Sequence, residues 1–170
     1  MGRLLRYARN DRSSWLGMRH SIEISINGRT ERLEVQSQDL LLDALRDRLK
    51  LFGARESCGA SVCGACTVLV DGLPVSSCTY LAPRANGRSL TTIEGLAQNG
   101  ALHPVQQAFI DCGGFQCSYC TTGFILTAVA LLRENPHPTD EQIKDYIAGN
   151  LCRCGAYPEI LAAIRAAAEG

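Results

Sequence analysis

The chain has 170 residues, 46% of them hydrophobic, and its 17 Lys and Arg are balanced by 17 Asp and Glu. That is enough apolar side chain to bury a core in one domain or two small ones, and the balance lacks both the basic excess of a nucleic-acid binder and the acidity of a charged tail. No apolar run approaches the roughly 20 residues that span a bilayer, and nine cysteines cannot all be paired in disulfides.

Residues 1–19 are basic, with no apolar h-region and no twin-arginine pair, so no export signal is read in them. A cytoplasmic protein is expected, in the reducing compartment where thiolate metal sites persist. The segment has no periodicity and is expected to be a flexible extension, with Trp15 an incidental aromatic. From Ile22 the pattern changes. Ile22, Ile24 and Ile26 alternate with polar residues, Asn27-Gly28 marks a tight turn, and Leu33 and Val35 resume the alternation, which predicts a β-hairpin. Leu41, Leu42, Leu45 and Leu49 then fall at helical spacing. Asp39 lies at the start, and Arg48 and Lys50 lie at the end, as the helix dipole favours.

The next stretch, SCGASVCGACTVLVDGLPVSSC over 57–78, places Cys58, Cys63, Cys66 and Cys78 in the order C-x4-C-x2-C-x11-C. This is the plant-type [2Fe-2S] spacing. Such a cluster is an anion in both redox states, so the loop must turn backbone N–H groups toward sulfur, and Gly59 and Gly64 allow the main chain to lie close against it. Thr67 to Val70, the turn Asp71-Gly72 and a return through Val75 predict a second hairpin, which brings Cys66 and Cys78 together. Pro74 belongs on an edge strand. With Ser89 to Ile93 as a last strand, residues 20–96 have the element order of a β-grasp ferredoxin domain.

Composition changes between Gly95 and Leu102, and residues 97–170 read as helical. Helices are predicted from Pro104 to Asp111, from just after Cys120 to Asn135-Pro136, from the capping-box pattern Thr139-x-x-Gln142 to Gly149, and from Pro158 through Ile164. Four more cysteines fall in two close pairs, Cys117 with Cys120 and Cys152 with Cys154, each in the loop before a predicted helix. Two helix N-termini aimed at one site favour an anion there. The residue chemistry leaves two readings for this quartet, a second iron-sulfur cluster or a four-cysteine structural zinc. Cys112 lies outside both patterns and is expected to be a buried, unliganded thiol. His20, His103 and His137 form no ligand pair and are expected at the solvent surface. Tyr119 and Tyr157 are expected to pack near the cluster, and the Gln116 amide could bond a neighbouring backbone or an external polar cofactor.

Together, ESCGASVCGACTVLVDGLPVSSC, GGFQCSYCTTG and AGNLCRCGAYPEI resemble the two-cluster iron-sulfur subunits of the molybdenum hydroxylases, the group of xanthine dehydrogenase, carbon monoxide dehydrogenase and 4-hydroxybenzoyl-CoA reductase. The resemblance covers roughly residues 22–164. It implies an α+β protein, an N-terminal β-grasp plant-type ferredoxin domain followed by a C-terminal four-helix [2Fe-2S] bundle, with [2Fe-2S] clusters in both quartets. It further implies electron transfer from a molybdenum-pterin cofactor in a large subunit to FAD in a medium subunit, within a hetero-oligomer that could be a dimer of heterotrimers, and it brings Gln116 and Cys154 to the pterin. Ser118 and Thr122 depart from the glycine and proline usual at those positions. A free-standing ferredoxin is the rival electron carrier, against which the second cluster domain argues, and a zinc-stabilised adaptor is the rival from another class. The substrate and the terminal acceptor are not written in this chain.

Overall fold

The computed structural model describes residues 18–170. Residues 1–17, including Trp15, lie outside the described residues. Pairing begins earlier than the expected extension allows: Arg19 already faces Gln36 across the first hairpin, and the Met18 carbonyl accepts the Ser37 N–H.

β1 (Arg19–Ile26) and β2 (Arg29–Gln36) form the predicted hairpin. Its turn residues, Asn27 at φ 51° and Gly28 at φ 78°, both sit in the left-handed region that matches the twist of paired strands. Ile22, Ile24 and Ile26 are buried on one face while Ser21, Glu23 and Ser25 stay exposed. β3 (Thr67–Val70) and β4 (Leu73–Ser76) form the second hairpin, and β5 (Ser89–Thr91) completes a five-stranded mixed sheet in the order β2-β1-β5-β3-β4. β5 is parallel to β1 and antiparallel to β3. The expected last strand is shorter than the apolar pattern suggested: Thr92 is extended, and the chain turns into a 3-10 segment at Ile93–Gly95. Pro74 lies on the edge strand β4, where no partner needs its missing N–H.

One face of the sheet is covered by α1 (Leu41–Asp43), which continues as a wider π-helical turn over Ala44–Arg48. Leu41, Leu42 and Leu45 point into the core with the isoleucines of β1. Arg48 at the end of this element pairs with Asp39 at its start, so the two charges meet directly as well as complementing the helix dipole.

β3 is buried on both faces. Val68 and Val70 join the core beneath α1, whereas Leu69, one residue out of phase, joins a second core made by the helices. Those helices are α2 (Pro104–Asp111), α3 (Thr121–Glu134), α4 (Asp140–Tyr146) and α5 (Tyr157–Glu169). α3 packs on β3 on one side and on α2, α4 and α5 on the others, which explains why it is buried without interruption from Gly123 to Leu131. Both bonds of the predicted capping box form at Thr139 and Gln142. A second box, not anticipated, starts α2: His103 Nδ1 accepts the Val105 N–H at 3.2 Å and Gln106 accepts the His103 N–H at 3.0 Å. His103 is therefore half-buried rather than a surface histidine. Cys112, expected to be buried, is also only half-buried at the end of α2.

Candidate iron-sulfur centres

The first cysteine quartet is assembled by the second hairpin. Cys66 immediately precedes β3 and Cys78 follows β4, and the ladder ends with the Cys66 carbonyl accepting both the N–H and the hydroxyl of Ser77. This closes the eleven-residue gap, leaving the two thiols buried and within hydrogen-bonding reach of each other. Cys58 and Cys63 form the other pair. Cys58 lies at the exposed rim, and its sulfur accepts the N–H groups of Ala60 and Val62, each at 3.4 Å. Those two donors, with Cys63 beside them, bring the Cys58 thiol down to about 6. Burial pushes the Cys78 thiol up, although the Ser61 N–H points at it. The loop thus supplies the backbone donors that a buried anion requires.

The second quartet is assembled by two helix starts, as the sequence predicts. Cys120 is the N-cap residue of α3, and Cys152 receives backbone N–H groups from Ala156, Cys154 and Gly155 at the entrance to α5. Burial acts to raise the Cys152 thiol, yet these donors outweigh it and leave it lowered. Cys117 is lowered by the Tyr119 N–H and by the Cys154 thiol, while burial pushes Cys120 up to about 12. Here too the thiols meet in pairs, Cys117 with Cys154 and Cys120 with Cys152. Among the described residues, no three His, Cys, Asp or Glu side chains converge as they would around a single ion. Tyr157 and Tyr119 do more than pack: the Tyr157 hydroxyl accepts the Cys152 N–H at 3.0 Å, and the Tyr119 hydroxyl donates to the Glu56 carbonyl. Gln116, exposed beside Cys117, donates through Nε2 to the Cys154 carbonyl at 3.4 Å.

The two loops touch. Leu151, immediately before Cys152, donates its N–H to the Cys63 carbonyl at 2.9 Å. Gly64, at φ 65°, is buried against the second loop and the start of α3. A Cβ there would lie 2.3 Å from Asn150 Nδ2 and 2.6 Å from the Gly149 carbonyl, and a Cβ on Gly123 would lie 2.1 Å from the Gly64 carbonyl, so glycine is required at both. The strap 53–56 adds further bonds. The Thr122 hydroxyl donates to the Gly53 carbonyl at 2.8 Å, and Arg55 donates to the Ser118 carbonyl while lying over the Tyr119 ring. The two departures from the family pattern thus fall on this junction. Ser118 tolerates a left-handed φ of 61°, and Thr122 makes a bond that proline could not.

Residues 24–91 match the family model of a 2Fe-2S iron-sulfur cluster binding domain, and residues 92–165 match that of a [2Fe-2S] binding domain. The small FeS subunit of nicotinate dehydrogenase from Eubacterium barkeri is 44% identical over 149 residues, 88% of this chain and 95% of that protein. The iron-sulfur-binding subunit of an aldehyde oxidoreductase from Escherichia coli O157:H7 is 46% identical over 162 residues, 86% of this chain and 71% of that protein. The crystal structure of quinoline 2-oxidoreductase from Pseudomonas putida superposes with a TM-score of 0.85 at 40% identity, covering 89% of this chain and 94% of that one. The chain belongs to the iron-sulfur subunits of the molybdenum hydroxylases. As a member of that family it is an α+β, two-[2Fe-2S] protein and the electron-transfer subunit of an oxidoreductase. What sequence reasoning missed in this molybdenum hydroxylase subunit is the junction between its cluster loops. Asn150, in AGNLC, has the sequence appearance of an ordinary helix-ending residue, and only its buried position between the two loops marks it out.

Proposed function

We propose that Cys58, Cys63, Cys66 and Cys78 hold one cluster, that Cys117, Cys120, Cys152 and Cys154 hold the other, and that the pair carries electrons out of a molybdenum site in a partner protein. The observation that carries the assignment is that each four-cysteine set lies within a region matching a [2Fe-2S] domain model, residues 24–91 and residues 92–165, with its thiols close enough to influence one another. The donor set fits: thiolates with backbone N–H groups directed at them and no competing carboxylate among the paired groups.

The finer architecture goes with this reading. The mixed sheet crossed by α1 is a β-grasp ferredoxin domain over 20–96, and α2 to α5 form a four-helix bundle within 97–170; the two separate cores support the division, with β3 shared between them. The partners are a large subunit bearing a molybdenum-pterin cofactor and a medium subunit bearing FAD, in a hetero-oligomer whose form is a dimer of heterotrimers. The relatives described as subunits of dehydrogenases and oxidoreductases support assembly with other subunits. Gln116 and Cys154 contact the pterin, a role supported by their mutual hydrogen bond at an exposed edge. Nine free cysteines support a reducing, cytoplasmic location, and no helix among the described residues is long and apolar enough to cross a membrane.

Bound clusters of this type accept and release one electron at a time. The residues of the chain hold them in place. Backbone donors from 60 to 62 and from 154 to 156 offset negative charge on sulfur, the two cores bury Cys66, Cys78 and Cys152 away from water, and the Cys63 carbonyl accepting the Leu151 N–H joins the two ligand loops directly. Purification of the native complex with assay of molybdenum, iron, sulfide and zinc tests the reading. A red-brown complex with iron, sulfide and a large molybdenum-pterin chain is expected. A colourless zinc protein, or a stable active complex without that large chain, would refute it.

A further inference from the structure

We propose that Asn150 is a positioning residue that sets the placement of the two clusters relative to each other. The proposal rests on the ligand assignment above.

Asn150 is 4% exposed and precedes Cys152 by two residues. Its side chain bonds both units of the protein. Nδ2 donates to the Gly64 carbonyl at 3.2 Å, between Cys63 and Cys66 in the first loop, and Oδ1 accepts the Thr127 hydroxyl at 3.0 Å from the buried face of α3. The Gly64 carbonyl fixes which end of the amide faces it, because it can only accept and so selects the nitrogen, leaving Oδ1 to accept the Thr127 hydroxyl. The Gly64 carbonyl also accepts the Thr67 N–H at 3.1 Å and the Thr67 hydroxyl at 2.8 Å, so the peptide Asn150 grips is anchored to the start of β3. One residue away on each strand, the Leu151 N–H meets the Cys63 carbonyl at 2.9 Å.

The geometry has two consequences. The amide and the adjacent backbone bond form a double tether, and two neighbouring bonds fix both separation and orientation where one would leave a pivot. Both tethered loops also carry ligands, so any slack at Asn150 passes to Cys63 on one side and Cys152 on the other without a flexible segment between. The buried amide has every neighbour satisfied, and its removal leaves the Gly64 carbonyl and the Thr127 hydroxyl without this partner. A solvent-exposed cap would have none of these effects.

The test uses the full chain with both clusters, as wild type, Asn150→Asp, Asn150→Ala and Thr127→Val. Asn150→Asp keeps the volume and the acceptor for Thr127 but puts oxygen where the donor faced Gly64. Iron and sulfide content and the two paramagnetic signals of the dithionite-reduced protein first establish that both clusters are assembled. The readouts are the magnetic splitting that the reduced clusters impose on each other and the hydrogen exchange of the Leu151 amide. Expected are a weakened splitting in Asn150→Asp and Asn150→Ala, a smaller change in Thr127→Val, and Leu151 exchange roughly five- to tenfold faster in the Asn150 variants, about what one net hydrogen bond supplies. Wild-type splitting and protection in Asn150 variants that carry both signals would overturn the proposal. If the alanine variant fails to assemble, the aspartate variant decides, and an unprotected Leu151 amide in the unsubstituted protein would overturn it without any variant. A single cluster signal in the wild type would instead overturn the ligand assignment.

Discussion

Gly123 sits in the first turn of α3, a position where replacing glycine by alanine ordinarily gains roughly 0.5–1 kcal/mol through lower backbone entropy in the unfolded chain. In this protein the sign reverses. The new methyl would stand 2.1 Å from the Gly64 carbonyl oxygen and 3.1 Å from its carbon, against an ordinary contact distance of roughly 3.5 Å. The obstacle is backbone, and that backbone is held by Thr67 and Asn150, so it cannot swing aside as a side-chain end would. Overpacking of this kind costs about 1–3 kcal/mol, and each loosened bond to Gly64 adds about 1 kcal/mol. After the helical gain is subtracted, Gly123→Ala is expected to cost about 2 kcal/mol, or roughly 4–8 °C in Tm for a chain of this size. Far-ultraviolet circular dichroism of the cluster-loaded protein, heated at one scan rate, reads it. Gly149→Ala is the internal comparison, because Gly149 has no neighbour within 4 Å of a Cβ and its backbone is not left-handed; it is expected to stay within about 0.5 kcal/mol of wild type. If Gly123→Ala proved as stable as the wild type, or more stable, the close packing of α3 against the first cluster loop would be wrong.

Burial holds the His103 pKa below the ordinary histidine value of 6.5, and its ring nitrogen caps α2 as an acceptor. The unfolded chain therefore takes up the proton first on acidification, so this residue's contribution is complete above pH 6.5 and is lost as the pH falls below it toward the folded-state pKa. Between about pH 7.5 and 5.5, Tm should fall less in His103→Asn than in the wild type, and equal falls would refute the capping role. Thr122→Val should cost about 1 kcal/mol through loss of the bond to the Gly53 carbonyl, seen in thermal melts; no loss would mean that water replaces the hydroxyl. Cys63→Ser and Cys154→Ser should each halve the iron content and remove a different paramagnetic signal, the first that of the plant-type site and the second that of the helical one. With Gln116 and Cys154 at the pterin, the helical cluster is the one that takes electrons first, so substrate added to the complex should still reduce it in Cys63→Ser; failure to do so with molybdenum bound would refute that order.

Local chemistry was written in the order of the amino acids. Alternating isoleucines in β1, the Asn27-Gly28 and Asp71-Gly72 turns, Pro104 at the start of α2 and the Thr139-x-x-Gln142 box each act within a few residues, so each was legible before any tertiary contact was known. The cysteine spacings were legible too: a hairpin closes the first quartet locally, whereas the second is legible as two close pairs whose thiols meet only when the starts of α3 and α5 pack together. Other features depended on partners remote in the chain. The shortened β5 reflects the turn of the chain toward the helices at Ile93, and the burial of β3 on both faces follows from α3 lying across Leu69. His103 reads as a surface histidine until the half-buried start of α2 makes its ring the cap. Asn150, Gly64 and Gly123 are separated by dozens of residues, and each is an ordinary polar or small residue in its own segment. Their roles come from the packing of one ligand loop against the other, at hydrogen-bond distance and with no room for a methyl group.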